Sequence, residues 1–72
     1  MLHSMRRSTG EVANFDADSG LGLITADDGS SVPFHCVAIV DGTRSVRTGA
    51  RVRFRLTQRL GRAEAADIEP LA

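Results

Sequence analysis

The segment Ser19-Gly20-Leu21-Gly22-Leu23-Ile24-Thr25 decides the fold of this 72-residue chain. In an extended strand successive side chains point to opposite faces, so Leu21 and Leu23 share one face while the glycines leave the other as bare backbone. Glycine inside a strand usually marks a bulge, a sharp bend or the close approach of another backbone. The segment therefore predicts a strand that bends around a small barrel, with its leucines either covering the core or exposed outside.

Turn-forming residues set this strand between two neighbours. Residues 16–20 are dense in Asp, Ser and Gly and predict a hairpin with a strand over residues 10–16. Val12 and Phe15 are three positions apart in that first strand, so both point inward only if the strand contains a bulge. Asp28-Gly29 is a strong signal for a second hairpin, which leads to a third strand over residues 32–37.

Alternating apolar residues predict the inner faces of the later strands. In the third strand Val32, Phe34 and Cys36 lie on one side, and Pro33, His35 and Val37 on the other. Residues 51–56 alternate three arginines with Val52, Phe54 and Leu56, and residues 63–68 form a fifth strand with Ala66 and Ile68 able to point inward. The connection over residues 38–49 is long and begins with a possible helical turn. The predicted buried set is Val12, Ile24, Val32, Phe34, Val52, Phe54 and Ile68.

Composition limits the class of protein. At 7.7 kDa the chain is one domain, which we expect to span residues 10–71 after a flexible arm over residues 1–9. A single cysteine excludes an internal disulfide and favours a reducing, cytoplasmic location, and no apolar run is long enough for a membrane span. The two histidines, one cysteine and scattered carboxylates form no nucleophile–base pair or metal-ligand pattern. We therefore expect no enzymatic activity, no metal and no cofactor.

Two ordered motifs resemble the bacterial cold shock domain. That family opens with Gly-x-Val-Lys-Trp-Phe-Asn followed by Lys-Gly-Phe-Gly-Phe-Ile, and this chain has Gly10-Glu-Val-Ala-Asn-Phe-Asp-Ala-Asp-Ser-Gly-Leu-Gly-Leu-Ile-Thr-Ala-Asp-Asp-Gly29. Its second motif, Val-Phe-Val-His-Phe-Ser-Ala-Ile, is similar to Val32-Pro-Phe-His-Cys-Val-Ala-Ile39, and its Ala-Ala-Asn-Val is similar to Ala65-Ala-Asp-Ile68. The resemblance covers residues 10–71 and implies an all-β, five-stranded antiparallel Greek-key barrel of the OB type.

The resemblance also implies binding to single-stranded DNA or RNA, which family members achieve by stacking bases on outward aromatic rings. Here most of those rings are replaced. Asn14 matches the tryptophan, Leu21 and Leu23 match two phenylalanines, Pro33 and Cys36 match two more, and only His35 remains aromatic. The motif lysines are matched by Ala13 and Ser19. The candidate nucleic-acid-binding residues are Asn14, Leu21, Leu23, Pro33, His35, Arg59 and Arg62.

The sequence supports two hypotheses of different classes. The first is a cold-shock-like protein that binds single strands weakly and mainly through charge, because the rings are missing while arginines 51, 53, 55, 59 and 62 survive. The second is a protein-interaction or homodimerisation module, because Leu21, Leu23, Pro33 and Cys36 would form an apolar surface patch. Added salt weakens phosphate binding steeply and an apolar interface much less, so salt dependence separates the two.

Overall fold

Five β-strands and one 3₁₀ turn make up the described chain. The structure, a computed structural model, describes residues 7–40 and 46–71, with the backbone only at Arg59. The elements are β1 (Ser8–Asp16), β2 (Leu21–Ala26), β3 (Ser31–His35), a 3₁₀ turn (Cys36–Ala38), β4 (Arg51–Arg59) and β5 (Arg62–Pro70). The predicted five-stranded all-β architecture is confirmed. Among these residues there is no helix long and apolar enough to cross a membrane.

One antiparallel sheet closes on itself. Its strands run in the order β3-β2-β1-β4-β5. The two outer strands meet where Ile39 forms a parallel bridge with Ile68, and the Val40 N–H donates to the Ile68 carbonyl at 2.9 Å. This contact pairs backbone groups of the segment that follows the 3₁₀ turn with β5, an edge strand that an open sheet would leave unpaired on that side. The result is a barrel with an inner face, which holds the core, and an outer face.

The core contains all seven residues of the predicted buried set. Val12, Ile24, Val52, Phe54 and Ile68 are fully buried, and Val32 and Phe34 nearly so. Ala26, Ile39 and Ala65 complete the cluster, and Phe15 and Cys36 pack against it from the rim. The buried set of the described residues includes no polar or charged side chain, so packing of apolar groups stabilises the barrel.

Two bulges set the direction of the side chains. In β1 the partners shift between Val12, opposite Ile24, and Asn14, opposite Leu23, which leaves Ala13 as the extra residue. This is the bulge that the spacing of Val12 and Phe15 predicted. In β5 two residues lie opposite Phe54, and Asp67 has a positive φ of 51°.

The bulge in β5 corrects one expectation from the sequence. Ala66, which we expected to point inward together with Ile68, is only half-buried, whereas Ala65 is buried. The extra residue shifts the alternation of inward and outward positions by one, so the two buried residues of β5 are three positions apart. Nothing in the local sequence marks this bulge.

The glycine at position 22 makes room for an aromatic ring. A Cβ atom built there would lie 2.4 Å from Cζ of Phe34 and 2.8 Å from the Asn14 carbonyl oxygen. Phe15 and Phe34, the cross-strand neighbours of Gly22, stack above it with ring centroids 5.8 Å apart and planes within 6°. The glycine–leucine pattern predicted the close approach of another backbone, and at Gly22 the Phe34 ring lies closer than the Asn14 backbone does.

The strand ends differ from the predicted ones by a few residues. β1 begins at Ser8, so the last two residues of the expected arm belong to the barrel, and residues 1–6 lie outside the described part of the chain. β3 ends at His35 because the chain turns into the 3₁₀ segment at Cys36, two residues before the predicted end. The exposed fraction of Leu56 is 50%, so it leaves the buried pattern set by Val52 and Phe54.

Candidate nucleic-acid interface

Two cross-strand rows bring most of the predicted site residues together on the outer face of β1, β2 and β3. In one row Asn14 pairs with Leu23, which pairs with Pro33. In the adjacent row Asp16 pairs with Leu21, which pairs with His35. Directly opposed residues on neighbouring strands have Cβ atoms about 4.5–5.5 Å apart. Five of the seven predicted residues therefore form one continuous patch, which we call the outer patch.

The outer patch is apolar and shallow. Leu21 is 55% exposed, Pro33 is exposed and Leu23 is half-buried. Together with Asn14 and Asp16 they line a groove of about 440 Å³. Such a surface offers apolar contact through the leucines and proline and one amide at Asn14. Apart from the imidazole of His35, it lacks the ring faces on which nucleic acid bases stack.

The ring of His35 is held by the backbone that follows it. Its Nδ1 accepts a hydrogen bond from the Val37 N–H at 3.3 Å, and the Cys36 Sγ lies 3.8 Å from the same nitrogen. Because neutral imidazole carries one proton, this contact places the proton on Nε2. Nε2 is therefore the donor nitrogen of the ring. The described residues contain no group of three or more His, Cys, Asp or Glu that could hold a metal ion.

Three of the four arginines of β4 are each paired with a carboxylate. Arg51 donates to both oxygens of Asp27, at 2.9 and 3.0 Å. Arg53 pairs with Glu69 at 2.6 Å, and Arg55 donates from Nε to Asp67 at 2.9 Å. The row of three arginines that could have followed a phosphate backbone is thus paired with carboxylates of the same chain. These exposed ion pairs compete with any phosphate contact by arginines 51, 53 and 55.

Asp27 joins the β2–β3 turn to β4 through Arg51 and to β1 through Thr9. The Thr9 hydroxyl donates to the Asp27 carboxylate, and the Asp27 N–H donates to the Thr9 carbonyl at 3.0 Å. Hydrogen bonds from Arg51 and then from Thr9 lower the pKa of Asp27 from 3.8 to about 2. The Arg53 hydrogen bond likewise lowers the pKa of Glu69. These acids are therefore ionised, so they hold the arginines at neutral pH.

Arg62 is the first residue of β5 and shares a cleft with Pro33 of the outer patch. It lines a cleft of about 480 Å³ with Pro33, Leu60, Ala63 and Glu64. Among the described residues the salt bridges are made by Arg7, Arg51, Arg53 and Arg55. None of these salt bridges involves Arg62. The Arg59 side chain lies outside the described residues.

Leu60 is the surface residue of this cleft that the sequence did not single out. It occupies the first position of the two-residue turn between β4 and β5, and its exposed fraction is 98%. The signal was present in the sequence. A Leu-Gly pair stands where such turns favour Asn-Gly or Asp-Gly, and we interpreted the segment only as a turn.

Comparison with known proteins places the chain in a family. Residues 8–71 match the model of the 'Cold-shock' DNA-binding domain. The chain is 49% identical over 57 residues to Cold shock protein 1 of Arabidopsis thaliana, a match that covers 76% of this chain and 19% of that protein. The solved structure "drosophila Unr CSD456" superposes with a TM-score of 0.80 at 24% identity, over 93% of this chain and 27% of that one. The chain thus spans about a fifth of the plant relative's length, and with the family model matching nearly all of it, it belongs to the cold shock domain family.

Proposed function

We propose that this chain binds single-stranded nucleic acid through the outer patch and catalyses no reaction. The observation that carries the proposal is the pair of rows Asn14–Leu23–Pro33 and Asp16–Leu21–His35, which assemble the positions that match the family's binding motifs. The free thiol of Cys36 and the absence of a second cysteine support a reducing, cytoplasmic location.

Base contact on this surface would be apolar and partly directional. Leu21, Leu23 and Pro33 can cover the face of a base without the gain from ring stacking, which is worth about 1–3 kcal/mol per base. The Nε2–H of His35 can donate to a carbonyl or ring nitrogen at a base edge. We therefore propose binding that is weaker than that of cold shock domains with a complete set of rings.

Phosphate contact would be limited to few cations. Because arginines 51, 53 and 55 are held by Asp27, Glu69 and Asp67, the cations proposed for phosphate binding are Arg62 and Arg59. Each phosphate neutralised on a single strand contributes a slope of roughly −0.7 to log K against log salt. Two contacts give a slope of roughly −1.4, which is shallow for a nucleic-acid-binding protein.

The proposal is tested by fluorescence anisotropy with a fluorescein-labelled, random-sequence 12-nucleotide single strand, as DNA and as RNA, between about 50 and 200 mM salt. The double variant Leu21→Asp with Leu23→Asp should lose binding while remaining folded by circular dichroism, since Leu21 is exposed and Leu23 half-buried. Leu71→Asp is the matched control, because Leu71 is also exposed but lies outside the groove and the cleft.

Two results would contradict the proposal. One is wild-type protein that binds neither strand at low salt. The other is a folded double variant that binds as the wild type does. Sedimentation of the unbound protein distinguishes the interaction module, which predicts a dimer that the double variant dissociates and no affinity for oligonucleotide.

A further inference from the structure

The turn between β4 and β5 exposes a leucine in an unfavourable backbone conformation. Leu60 has φ of 53° and Gly61 has φ of 80°, the two positive values typical of the tight turns that join antiparallel strands. A side chain with a Cβ disfavours the left-handed region, which asparagine and glycine tolerate better. Leu60 is 98% exposed, so no burial within the chain offsets this conformation. Strain without compensation inside the molecule is a reason to look for a contact outside it.

A groove large enough for an apolar side chain lies on the outer patch. It measures about 440 Å³ and is lined by Leu21, Leu23 and Pro33, with Asp16 at its β1 side. Leu21 is 55% exposed, so the groove is open to solvent. An exposed leucine and an exposed apolar groove both gain free energy when they leave water together. One molecule therefore carries both halves of an apolar contact.

The positions of the leucine and the groove are self-complementary. Across the outer face, Asp16 lies on β1, the two leucines of the groove on β2 and Pro33 on β3. Beyond Pro33, which also lines the cleft, come Leu60 and Arg62 of the hairpin. A two-fold rotation about an axis beside Pro33 therefore lays the hairpin of each copy over the groove of the other. Such a contact uses the same surface on both copies, as in most closed dimers.

The charges on this face are arranged in the same way. Arg62, on the hairpin side of Pro33, and Asp16, on the groove side, are both exposed and take no part in the salt bridges among the described residues. Oδ1 of Asp16 accepts the Asp18 N–H at 2.9 Å, and an ionised carboxylate can accept further hydrogen bonds. The two-fold arrangement places Arg62 of each copy opposite Asp16 of the other, so opposite charges meet at both ends of the contact.

We propose that this face is an interface between two copies of the chain. Leu60 of each copy inserts into the groove of the other, and Arg62 pairs with Asp16 of the other copy. The contact is small, so the dimer is weak and forms reversibly as the concentration rises. The second copy covers the groove and therefore excludes a single strand from the outer patch. This last consequence rests on the proposed function, whereas the dimer itself does not.

Sedimentation equilibrium of the free protein, over micromolar to millimolar concentrations, measures the dimer. Leu60→Asn should raise its dissociation constant roughly a hundredfold, about tenfold for each of the two leucines removed. Asparagine tolerates the left-handed region, so the midpoint of thermal unfolding should not fall. Leu71→Asn is the matched control, because Leu71 is exposed but lies outside the groove and the cleft, and it should leave the dissociation constant unchanged.

The charge pairs are tested by mixing two reversals. Arg62→Asp and Asp16→Arg each place like charges at both ends of the contact, so each variant alone should be monomeric where the wild type is dimeric. A mixture of the two should form a heterodimer, because every end again joins a carboxylate to a guanidinium. Glu64, which lines the cleft with Arg62, is the same in all samples. Glu11→Arg has the net charge of Asp16→Arg from a position outside the groove and the cleft, so it should bind labelled Arg62→Asp more weakly.

Four results would overturn the interface. They are a wild type that stays monomeric at every concentration, a folded Leu60→Asn variant that dimerises as the wild type does, a mixture of reversals that stays monomeric, and equal binding by the Glu11→Arg control. If Asp16→Arg fails to fold, the comparison of Leu60→Asn with Leu71→Asn decides.

The labelled 12-nucleotide strand separates this proposal from the proposed function. Added strand should convert the dimer to a strand-bound monomer. Strand that binds and leaves the dimer intact overturns the placement of the interface on the outer patch. A dimer that binds no strand refutes the proposed function and supports the interface.

Discussion

The two sides of strands β1 to β3 differ in what they have kept of the cold shock pattern. The inner side carries Phe15 and Phe34 stacked over Gly22, in the row between the two rows of the outer patch. The outer side is formed by the residues next to these in each strand. It carries leucine, proline and asparagine where the family motifs have rings. Only His35 remains aromatic there.

This difference shows that the fold and the binding chemistry depend on separate sets of residues. An inner ring is fixed by its neighbours, because a core packed at crystal density leaves no space for a different shape. An outer side chain faces solvent and can change with little effect on stability. Membership of the family therefore fixes the barrel, whereas affinity for a single strand depends on what each outer position now holds.

Removing an inner ring should have the largest effect. Phe34→Ala is expected to cost roughly 3–5 kcal/mol, because the ring is buried and the cavity cannot fill around it. Stability of that order is close to the whole stability of a domain this small. Urea unfolding monitored by circular dichroism measures the change, and the outer variant Leu21→Ala is the control. Similar losses for the two variants would show that the inner and outer sides are not energetically distinct.

Restoring outer rings should have an intermediate effect. Leu21→Phe with Leu23→Phe is expected to tighten binding to the labelled single strand by about 1–3 kcal/mol for each ring that a base engages, with little change in stability. Anisotropy titration and thermal unfolding measure the two quantities. If the double variant unfolds, or dissociates a dimer without any gain in binding, then the leucines belong to the core or to a protein interface.

The ion pair between Asp27 and Arg51 should have the smallest effect, and its sign is fixed by the shift of the Asp27 pKa. Folding lowers that pKa from 3.8 to about 2, so the pair stabilises the barrel above about pH 4 and loses this contribution as the pH falls toward 2. Asp27→Asn removes the dependence. The difference in thermal midpoint between wild type and variant should therefore shrink from pH 5 to pH 2, and a difference that stays constant over this range would contradict the assignment.

Much of the fold could be predicted because short periodic patterns carry it. The alternation of Val32 with Phe34 and of Val52 with Phe54 placed these residues inside, and the spacing of Val12 and Phe15 required a bulge that β1 contains. The motif positions Asn14, Leu21, Leu23, Pro33 and His35 could be assigned to one surface, since residues two apart on a strand share a face.

The partners of the arginines were decided only by the tertiary structure. Arg51, Arg53 and Arg55 are an outward row in the sequence, but their carboxylates lie 24, 16 and 12 residues away along the chain. Strand pairing and the β5 bulge bring them together, and no local pattern encodes either register.

The sequence by itself thus determined the barrel, its core and the loss of outer rings, because these follow from residue type and from a period of two. Only the tertiary structure decided which arginines remain available for phosphate contact. It also decided that Leu60 and Pro33 line one cleft. Both depend on contacts between strands distant in the chain, whose geometry is set by the closing of the whole sheet.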